Sequence, residues 1–181
     1  MKSFVFTLLM VVSLLGFTNA QNKMAAGAGF IVSLPMGSFG DATKTGFGGT
    51  AAFEMSIIPQ LVGVGNVGYI TWGTDIENGS FSAVPVTVGV KYYFVPNIPF
   101  YGLGQIGLSF FSVDYGTPKI ETPFGNFGVD ASASSTEFTF VIGAGYEVPV
   151  SPTVSLDFTG GFNVISDFNH ITLRAGGKVA L

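Results

Sequence analysis

The clearest pattern in the chain is a strict alternation of apolar and mixed positions between Val84 and Phe94. Every second residue of this segment is apolar or aromatic, and the residues between them are Pro, Thr, Gly, Lys and Tyr. A period of two over this length is typical of a β-strand with one apolar and one mixed face. The pattern therefore predicts a strand that is tens of ångströms long.

Seven further segments show the same alternation, although glycines blur it in the third segment so that its two faces stay unassigned. The eight predicted strands are 25–34, 45–57, 61–72, 84–94, 100–113, 136–148, 154–164 and 171–181. Eight such strands, joined in sequence, predict an all-β fold: an eight-stranded antiparallel up-and-down transmembrane β-barrel.

The predicted connections alternate between short and long. Prolines mark three tight turns, at 59–60, 95–99 and 151–152, whereas the connections at 35–44, 74–81, 114–135 and 166–170 are longer. Short periplasmic turns and longer outer loops are the expected asymmetry of outer-membrane barrels, so we expect both chain ends in the periplasm. No segment shows a helical period.

The first twenty residues have the features of an export signal. Lys2 supplies a positive start, and an apolar stretch of about 14 residues runs from Phe4 to Phe17, followed by small or polar residues at 18–20. This stretch is shorter than the ~20 residues that a retained helical anchor needs. We therefore predict a signal peptide at 1–20 and a single barrel domain at 21–181, beginning with Gln21.

The composition favours contact with lipid over contact with water. Mean hydropathy is +0.54 and charged residues make up 10% of the chain, against ~25% in an ordinary soluble domain. A bilayer requires every backbone polar group to be paired, which a closed sheet achieves. The absence of cysteine excludes a disulfide framework, thiol chemistry and a lipid-modified cysteine anchor.

The direction of the two faces follows from side-chain size. A soluble barrel would place the apolar face inside, but Phe, Tyr, Ile and Leu would overfill the interior of eight strands. The other face carries mainly Gly, Ala, Ser and Thr, whereas a water-exposed face would carry many Lys and Glu residues. We therefore predict that the apolar face points outward.

Aromatic residues near the strand ends are typical of an interfacial girdle, although they are also simply common in strands. The predicted girdle consists of Tyr92, Phe94 and Phe100 near the short turns and Phe47, Trp72, Phe110 and Phe162 near the long loops.

Six charged residues fall on the small-residue face: Glu54, Lys91, Glu147, Asp157, Arg174 and Lys178. Three are acidic and three are basic, and all but Arg174 lie close to the short-turn ends of their strands. Charges inside a narrow barrel are costly unless they are paired. We predict a structural salt-bridge cluster that plugs the lumen; the alternative is a proton or ion path lined by the same side chains.

The long connections and strand tips carry an excess of acidic residues. Asp41, Asp75, Glu77, Asp114, Glu121, Asp130, Glu137 and Asp167 stand against Lys44 and Lys119. They are either plainly solvated or share divalent cations with the phosphates of lipopolysaccharide. This acidity disfavours nucleic-acid binding.

The sequence offers little catalytic chemistry. His170 is the only histidine, and we expect it to be an exposed residue at a strand tip near Ser166 and Asp167, without triad geometry. Residues 102–107 match a dinucleotide-binding spacing but lie within a strand and open no helix. We predict no catalytic residue, no cofactor-binding residue, no metal ligand and no enzymatic activity.

The chain resembles the small eight-stranded outer-membrane barrels of the OmpX and OmpA-transmembrane type, and the outer-membrane β-barrel domains common in Bacteroidetes. The resemblance lies in the signal, the strand count, the Gly-aromatic segment 143–148 and the terminal strand 173–181. Residues 173–181 are similar to the signal that the barrel-assembly machinery reads, although Leu181 stands where an aromatic residue is typical. The resemblance implies a location in the bacterial outer membrane.

Three functions are compatible with this architecture. The first is a structural or surface-interaction protein with a plugged lumen and loops presented outside; its expected partners are membrane lipid, lipopolysaccharide and the assembly machinery. The second is a narrow channel or lateral conduit for small hydrophobic molecules, as in OmpW-like barrels. The third, least favoured, is a lipid-modifying enzyme. We expect a monomer, and the extracellular ligand is not predicted.

Overall fold

The computed structural model describes residues 24–74, 80–95, 98–114, 120–122, 125–127 and 132–181. The predicted export signal and the predicted new N-terminus at Gln21 lie outside these residues. The elements are β1 (Met24–Pro35), α1 (Ser38–Ala42), β2 (Thr43–Ile58), β3 (Leu61–Thr74), β4 (Ser80–Tyr93), β5 (Phe100–Asp114), β6 (Ile120–Thr122), β7 (Gly125–Phe127), β8 (Ser132–Pro149), β9 (Val154–Val164) and β10 (His170–Ala180).

Eight of these strands close into an antiparallel barrel, so the predicted all-β, eight-stranded fold is confirmed. The order around the barrel is β1-β10-β9-β8-β5-β4-β3-β2. Strands β6 and β7 form a separate two-stranded hairpin within the connection from β5 to β8. Closure pairs β1 with β10, so the barrel has no unpaired sheet edge.

The barrel has two distinct ends. The turns at 59–60, 94–99 and 150–153 define the short-turn end, and the connections at 36–42, 75–79, 115–131 and 165–169 define the long-loop end. Leu181 donates its backbone N–H to the carbonyl of Met24 over 2.9 Å, so both ends of the described chain lie at the short-turn end. The predicted alternation of short and long connections is thus confirmed.

Element boundaries differ from the sequence prediction at the long-loop end. Strands β4 and β8 begin at Ser80 and Ser132, four residues earlier than the alternation indicates. The predicted loop 35–44 contains the five-residue helix α1. Gly37, with φ of +60°, precedes that helix in a conformation that favours glycine. Among the described residues, no helix combines the length and hydropathy needed to cross a bilayer.

Most of the bulky apolar residues of the strands point outward, as predicted. On β4, Val88 is 59% exposed whereas its neighbour Thr87 is 5% exposed and faces the lumen. The outer surface is consequently a continuous apolar band, and the backbone behind it is paired around the closed sheet. These are the properties of a barrel that spans a bilayer.

The ladder between β3 and β4 is interrupted at a proline. The backbone pairs Val67 with Val86 and Ile70 with Ala83 on either side of the interruption. Between them, Gly68 lies opposite Pro85 and Tyr69 opposite Val84, and neither forms a ladder pair. Proline has no N–H group, so the carbonyl of Gly68 receives no hydrogen bond from the residue opposite it. The seam at Gly68 and Pro85 is therefore the weakest described point of the ladder between these two strands.

Candidate functional site: the lumen

Lys91 is the centre of an ion-pair cluster inside the short-turn half of the barrel. It projects inward from β4 and its exposed fraction is 0%. Its Nζ lies 2.5 Å from Oε1 of Glu54 and 3.3 Å from Oε1 of Glu147, and it also pairs with Asp157. One ammonium therefore pairs with carboxylates from three other strands, β2, β8 and β9.

Lys178, on β10, forms a second bridge in the same cluster. Its Nζ lies 2.8 Å from Oε2 of Glu54 and 2.6 Å from Oε1 of Glu147. Two tyrosines supply further donors: Tyr93 Oη donates to Glu147 over 2.6 Å, and Tyr101 Oη donates to Asp157 over 2.7 Å. Every carboxylate of the cluster thus receives at least two polar partners, as buried charges require.

Arg174 stands apart from the other five predicted lumen charges. Its guanidinium donates to Oδ1 of Asn66 and to Oγ1 of Thr159, each over 3.1 Å. Thr159 in turn donates to Asp157 over 2.7 Å. The ion pairs among the described residues join the other five charges and do not include Arg174, which is linked to Asp157 only through a threonine hydroxyl.

The carboxylates of Glu54, Glu147 and Asp157 approach one another closely enough to hold a metal ion, with ligand atoms within 4.8 Å. The ammonium of Lys91 lies among them and pairs with all three. A cation would have to displace that ammonium. Three carboxylates face two ammonium groups in the cluster, and Arg174, linked through Thr159, balances the remaining negative charge.

Above the cluster, toward the long-loop end, lies a mid-lumen chamber of about 60 Å³. Its polar lining is Thr50, Asn66, Thr87, Gln105, Thr159, Asn163, Thr172 and Arg174. Side-chain nitrogens of Asn66 and Gln105 are buried without a hydrogen-bond partner among the described residues. The chamber is therefore polar but incompletely satisfied.

The long-loop end of the lumen is filled by an aromatic plug, defined as Ile31, Phe39, Ile70, Trp72, Phe81, Ala83, Phe111 and Ile165. Phe39 extends from α1 and packs on Trp72 and Phe81, with ring centroids 5.4 and 5.2 Å away. Trp72 donates its indole N–H to Ser33 over 3.1 Å. The plug combines rings from the wall with one ring from a loop.

The aromatic plug corrects two predictions. Trp72 was expected in the outer girdle, but it is 1% exposed and faces the lumen, whereas the other six predicted girdle residues are exposed on the outer surface. The inner face was expected to carry mainly small residues with a few charges, yet Phe81 and Phe111 also line the lumen. The barrel accommodates them because the polar cluster occupies only the short-turn half.

The prediction of an exposed His170 is wrong. The side chain is buried, and its Nδ1 lies 2.8 Å from the carbonyl oxygen of Phe168. Its ring packs against Trp72 with centroids 5.5 Å apart. Ser166 and Asp167 are exposed, so the three residues are not assembled into a catalytic constellation. His170 extends the packing of the aromatic plug.

At the short-turn end the lumen opens into a vestibule of about 730 Å³. Turn residues such as Pro59, Ile98 and Pro152 form its apolar rim, while Glu147 and Lys178 lie on its lining next to the cluster. Glu54, Glu147 and Lys178 place the ion-pair cluster at the inner boundary of the vestibule.

The sequence reasoning missed four residues that complete the polar lumen: Asn66, Tyr93, Tyr101 and Gln105. Tyr93, Tyr101 and Gln105 lie on the inward-facing phase of strands with a clear alternation, which could have identified them. Asn66 lies on the third strand, where glycines blur the alternation. The two tyrosines and the glutamine were missed because only charged side chains were considered on the inner face.

Comparison with known proteins supports the fold and little else. No protein-family model matches the chain, and no curated protein matches it significantly. The structure is similar to that of Ail, the attachment invasion locus protein of Yersinia pestis, with TM-score 0.65 and 15% identity over 90% of this chain and 100% of that one. For a major outer membrane protein from Thermus thermophilus the TM-score is 0.61, with 15% sequence identity over 90% of this chain and 100% of that one. For Neisserial surface protein A the TM-score is 0.56, with 18% sequence identity over 87% of this chain and 97% of that one.

These similarities show that the chain has the fold of the small eight-stranded outer-membrane β-barrels, as the sequence resemblance implied. One of the structures of Ail contains the heparin analogue sucrose octasulfate. The sequence identity between this chain and Ail in that structure is 14%, which is too low to transfer the ligand, so the ligand is a property of Ail.

Proposed function

We propose that this protein is an integral barrel of the bacterial outer membrane with a closed lumen, and that it acts as a structural or surface-interaction protein. The observation that carries the proposal is the filling of the lumen. The aromatic plug occupies the long-loop half, and five interlocked charges occupy the short-turn half. A barrel of eight strands has no spare width around such side chains.

The proposed orientation places the short-turn end in the periplasm and the long-loop end outside the cell. The long loops, including the β6–β7 hairpin, would then be the surface available to partners. Their predicted excess of acidic residues disfavours a polyanion such as the heparin analogue seen with Ail, because like charges repel. A neutral or cationic extracellular partner fits this surface better.

Further parts of the proposal follow from the sequence. Residues 1–20 would be removed as a signal peptide, and 21–181 would form the mature barrel. The terminal strand would engage the assembly machinery, and the outer surface would contact lipid and lipopolysaccharide as a monomer. No enzymatic role is proposed, because the buried His170 side chain is bonded to the backbone carbonyl of Phe168 and packs among aromatic rings.

Single-channel recording in planar bilayers tests the closed lumen. The purified, refolded barrel should produce no steady conductance steps under conditions in which an open porin, used as the positive control, conducts. A heat-modifiability gel on outer-membrane fractions establishes in parallel that the recorded protein is folded and correctly located. Steady unitary steps from the heat-modifiable species would contradict the proposal.

The second candidate function is a lateral conduit for small hydrophobic molecules, and the interrupted β3–β4 ladder favours it. Gly68 and Pro85, which form the seam, also line the mid-lumen chamber, so an opening there would join lumen and lipid. Pro85→Ala would supply the missing N–H and tighten the seam. Under this function, uptake of a small hydrophobic molecule by cells expressing the variant would fall, whereas uptake equal to wild type would remove the candidate.

A further inference from the structure

Strand β8 continues beyond the closed barrel at the long-loop end. It pairs with β5 from Ser132 to Tyr146, but its pairing with β9 begins only at Phe140. Residues 132–139 therefore have a neighbouring strand on one side only, within the part of the chain that the structure describes. We call the other side the β8 edge. Eight extended residues span about 27 Å, which is long for an exposed sheet edge.

The backbone groups on the β8 edge can be assigned from the ladder. Glu147 donates its N–H to the carbonyl of Pro99, on the β5 side of the strand. The direction of these groups alternates from residue to residue, and the register between β5 and β8 has no shift that would break the alternation. The residues that turn their N–H and C=O groups toward the β8 edge are consequently Ser134, Thr136 and Phe138.

The amino-acid sequence leaves this edge unguarded. Native sheets protect exposed edges with proline, lysine, bulges or very short strands. Residues 132–139 contain no proline and no lysine, and their pairing with β5 has no bulge. The side chains at 133–136 are small and exposed. An incoming extended backbone would therefore meet hydrogen-bonding groups and little steric hindrance, as β-strand addition requires.

The charges around the β8 edge are acidic. Glu137 lies within the segment, and the exposed Asp167 lies in the connection that follows β9. That connection begins beside the foot of the edge, because Val164 at the end of β9 pairs with Phe140. Among the described lysine and arginine residues, the one outside the lumen is Lys44, on β2 at the opposite side of the barrel. The charge distribution thus favours a basic partner over an acidic one.

We propose that the β8 edge binds an extended, basic segment of an extracellular protein, which joins the sheet as an additional strand. The backbone groups of Ser134, Thr136 and Phe138 supply the hydrogen bonds, and the acidic surroundings select lysine or arginine on the incoming segment. This inference rests on the proposed surface-interaction function and on the orientation that places the long-loop end outside the cell. It adds the kind of partner and the backbone groups that hold it.

Peptide binding to the whole barrel, refolded in detergent, tests the proposal. The probe is a fluorescent decapeptide of alternating threonine and lysine residues, and binding is followed by fluorescence anisotropy. One control peptide has the same sequence with every backbone nitrogen methylated, so it keeps the charge but cannot donate ladder hydrogen bonds. A second control carries glutamate in place of lysine. The probe should bind more tightly than either control by a factor of about ten or more.

A matched pair of variants places the binding on the β8 edge. Thr136→Pro removes one N–H from the edge and leaves the ladder with β5 intact, because that N–H points away from β5; proline is tolerated at such positions of edge strands. It should weaken probe binding about tenfold. Thr136→Ala keeps the N–H and should bind like wild type. A heat-modifiability gel verifies folding, and Ser134→Pro replaces Thr136→Pro if the latter does not fold.

Amide hydrogen exchange measured by NMR gives an independent readout. In the free barrel the amides of Ser134 and Thr136 should exchange faster than that of Ser135, which points toward β5, and the probe should slow them. Protection of these two amides before the probe is added would overturn the proposal. So would a probe that does not bind, or equal binding of the methylated peptide or of the proline variant. Conductance is not involved, so such a failure leaves the closed-lumen proposal to its own test.

Discussion

Lys91→Met is the substitution that most directly challenges the ion-pair cluster. Methionine retains the length and apolar stem of lysine but removes the ammonium that pairs with Glu54, Glu147 and Asp157. Lys178 still contacts the two glutamates. Asp157, by contrast, loses its only ion-pair partner among the described residues, so the variant leaves a buried carboxylate uncompensated.

The expected loss can be estimated from the geometry. The three carboxylates lie within 4.8 Å of one another, and two unit charges at that separation repel by about 3 kcal/mol at an effective dielectric constant of ~20. Breaking a buried pair by removing one partner typically costs ~3–5 kcal/mol. We therefore expect the free energy of unfolding to fall by about 3–5 kcal/mol.

Urea unfolding of the barrel refolded in detergent provides the assay, with fluorescence of Trp72, the single tryptophan, as the signal. Lys178→Met is the matched control: it should cost less than Lys91→Met, because Lys91 still pairs with all three carboxylates. Adding Asp157→Asn to Lys91→Met should recover at least half of the loss. If the two changes prove additive, or if Lys91→Met is neutral, the reasoning is refuted.

Three further predictions concern the wall and the single histidine. A Cβ added at Gly107 would lie 2.7 Å from the Cα of Thr87 on β4, whereas a Cβ added at the outward-facing Gly104 would have no atom within 4 Å. Gly107→Ala should therefore lower the free energy of unfolding by ~1–3 kcal/mol in the same urea assay, and Gly104→Ala is the matched control. Equal stabilities of these two variants would contradict the prediction. Pro85→Ala should raise the unfolding free energy by about 1 kcal/mol by restoring a ladder hydrogen bond, and a lowered urea midpoint would count against the missing bond. Expression of His170→Ala should leave the lipid A and phospholipid profile identical to that of cells expressing wild type, as judged by mass spectrometry, and a difference between the two profiles would revive an enzymatic role.

The sequence predicted the fold because the alternation is strong where the two faces differ most. On β4, large apolar residues alternate with Thr87, Gly89 and Lys91, so period and orientation could be read together. Tight turns marked by proline then set the strand count. Both signals can be read from short stretches of the chain. In an up-and-down barrel, most strands pair with their neighbours in sequence, so these local signals are enough to predict the closed sheet.

The aromatic plug was not predictable from the same rule. Near the long-loop end both faces of several strands are apolar: Tyr69 faces lipid while Ile70 and Trp72 face the lumen. A period of two cannot indicate which apolar face points inward. Phe39 adds a contribution from a loop, and no strand pattern applies to a loop residue.

The arrangement of the six lumen charges was predictable in part. Period two placed all six on the inner face, and distance from the turns placed five at similar depth. The separation of Arg174 depends on which residues face it across the barrel. Asn66 is 108 positions away along the chain, and strand stagger determines such pairs.

Chemical accessibility of the lumen is the most direct test of the central claim that the barrel is closed at both ends. The chain has no cysteine, so Thr87→Cys places a near-isosteric thiol in the chamber lining, and Ser38→Cys places one on the exposed helix α1. In lipid vesicles, a water-soluble methanethiosulfonate should modify Ser38→Cys rapidly and leave Thr87→Cys unmodified until the barrel is unfolded. Modification of folded Thr87→Cys at a rate comparable to that of Ser38→Cys would contradict the closed lumen.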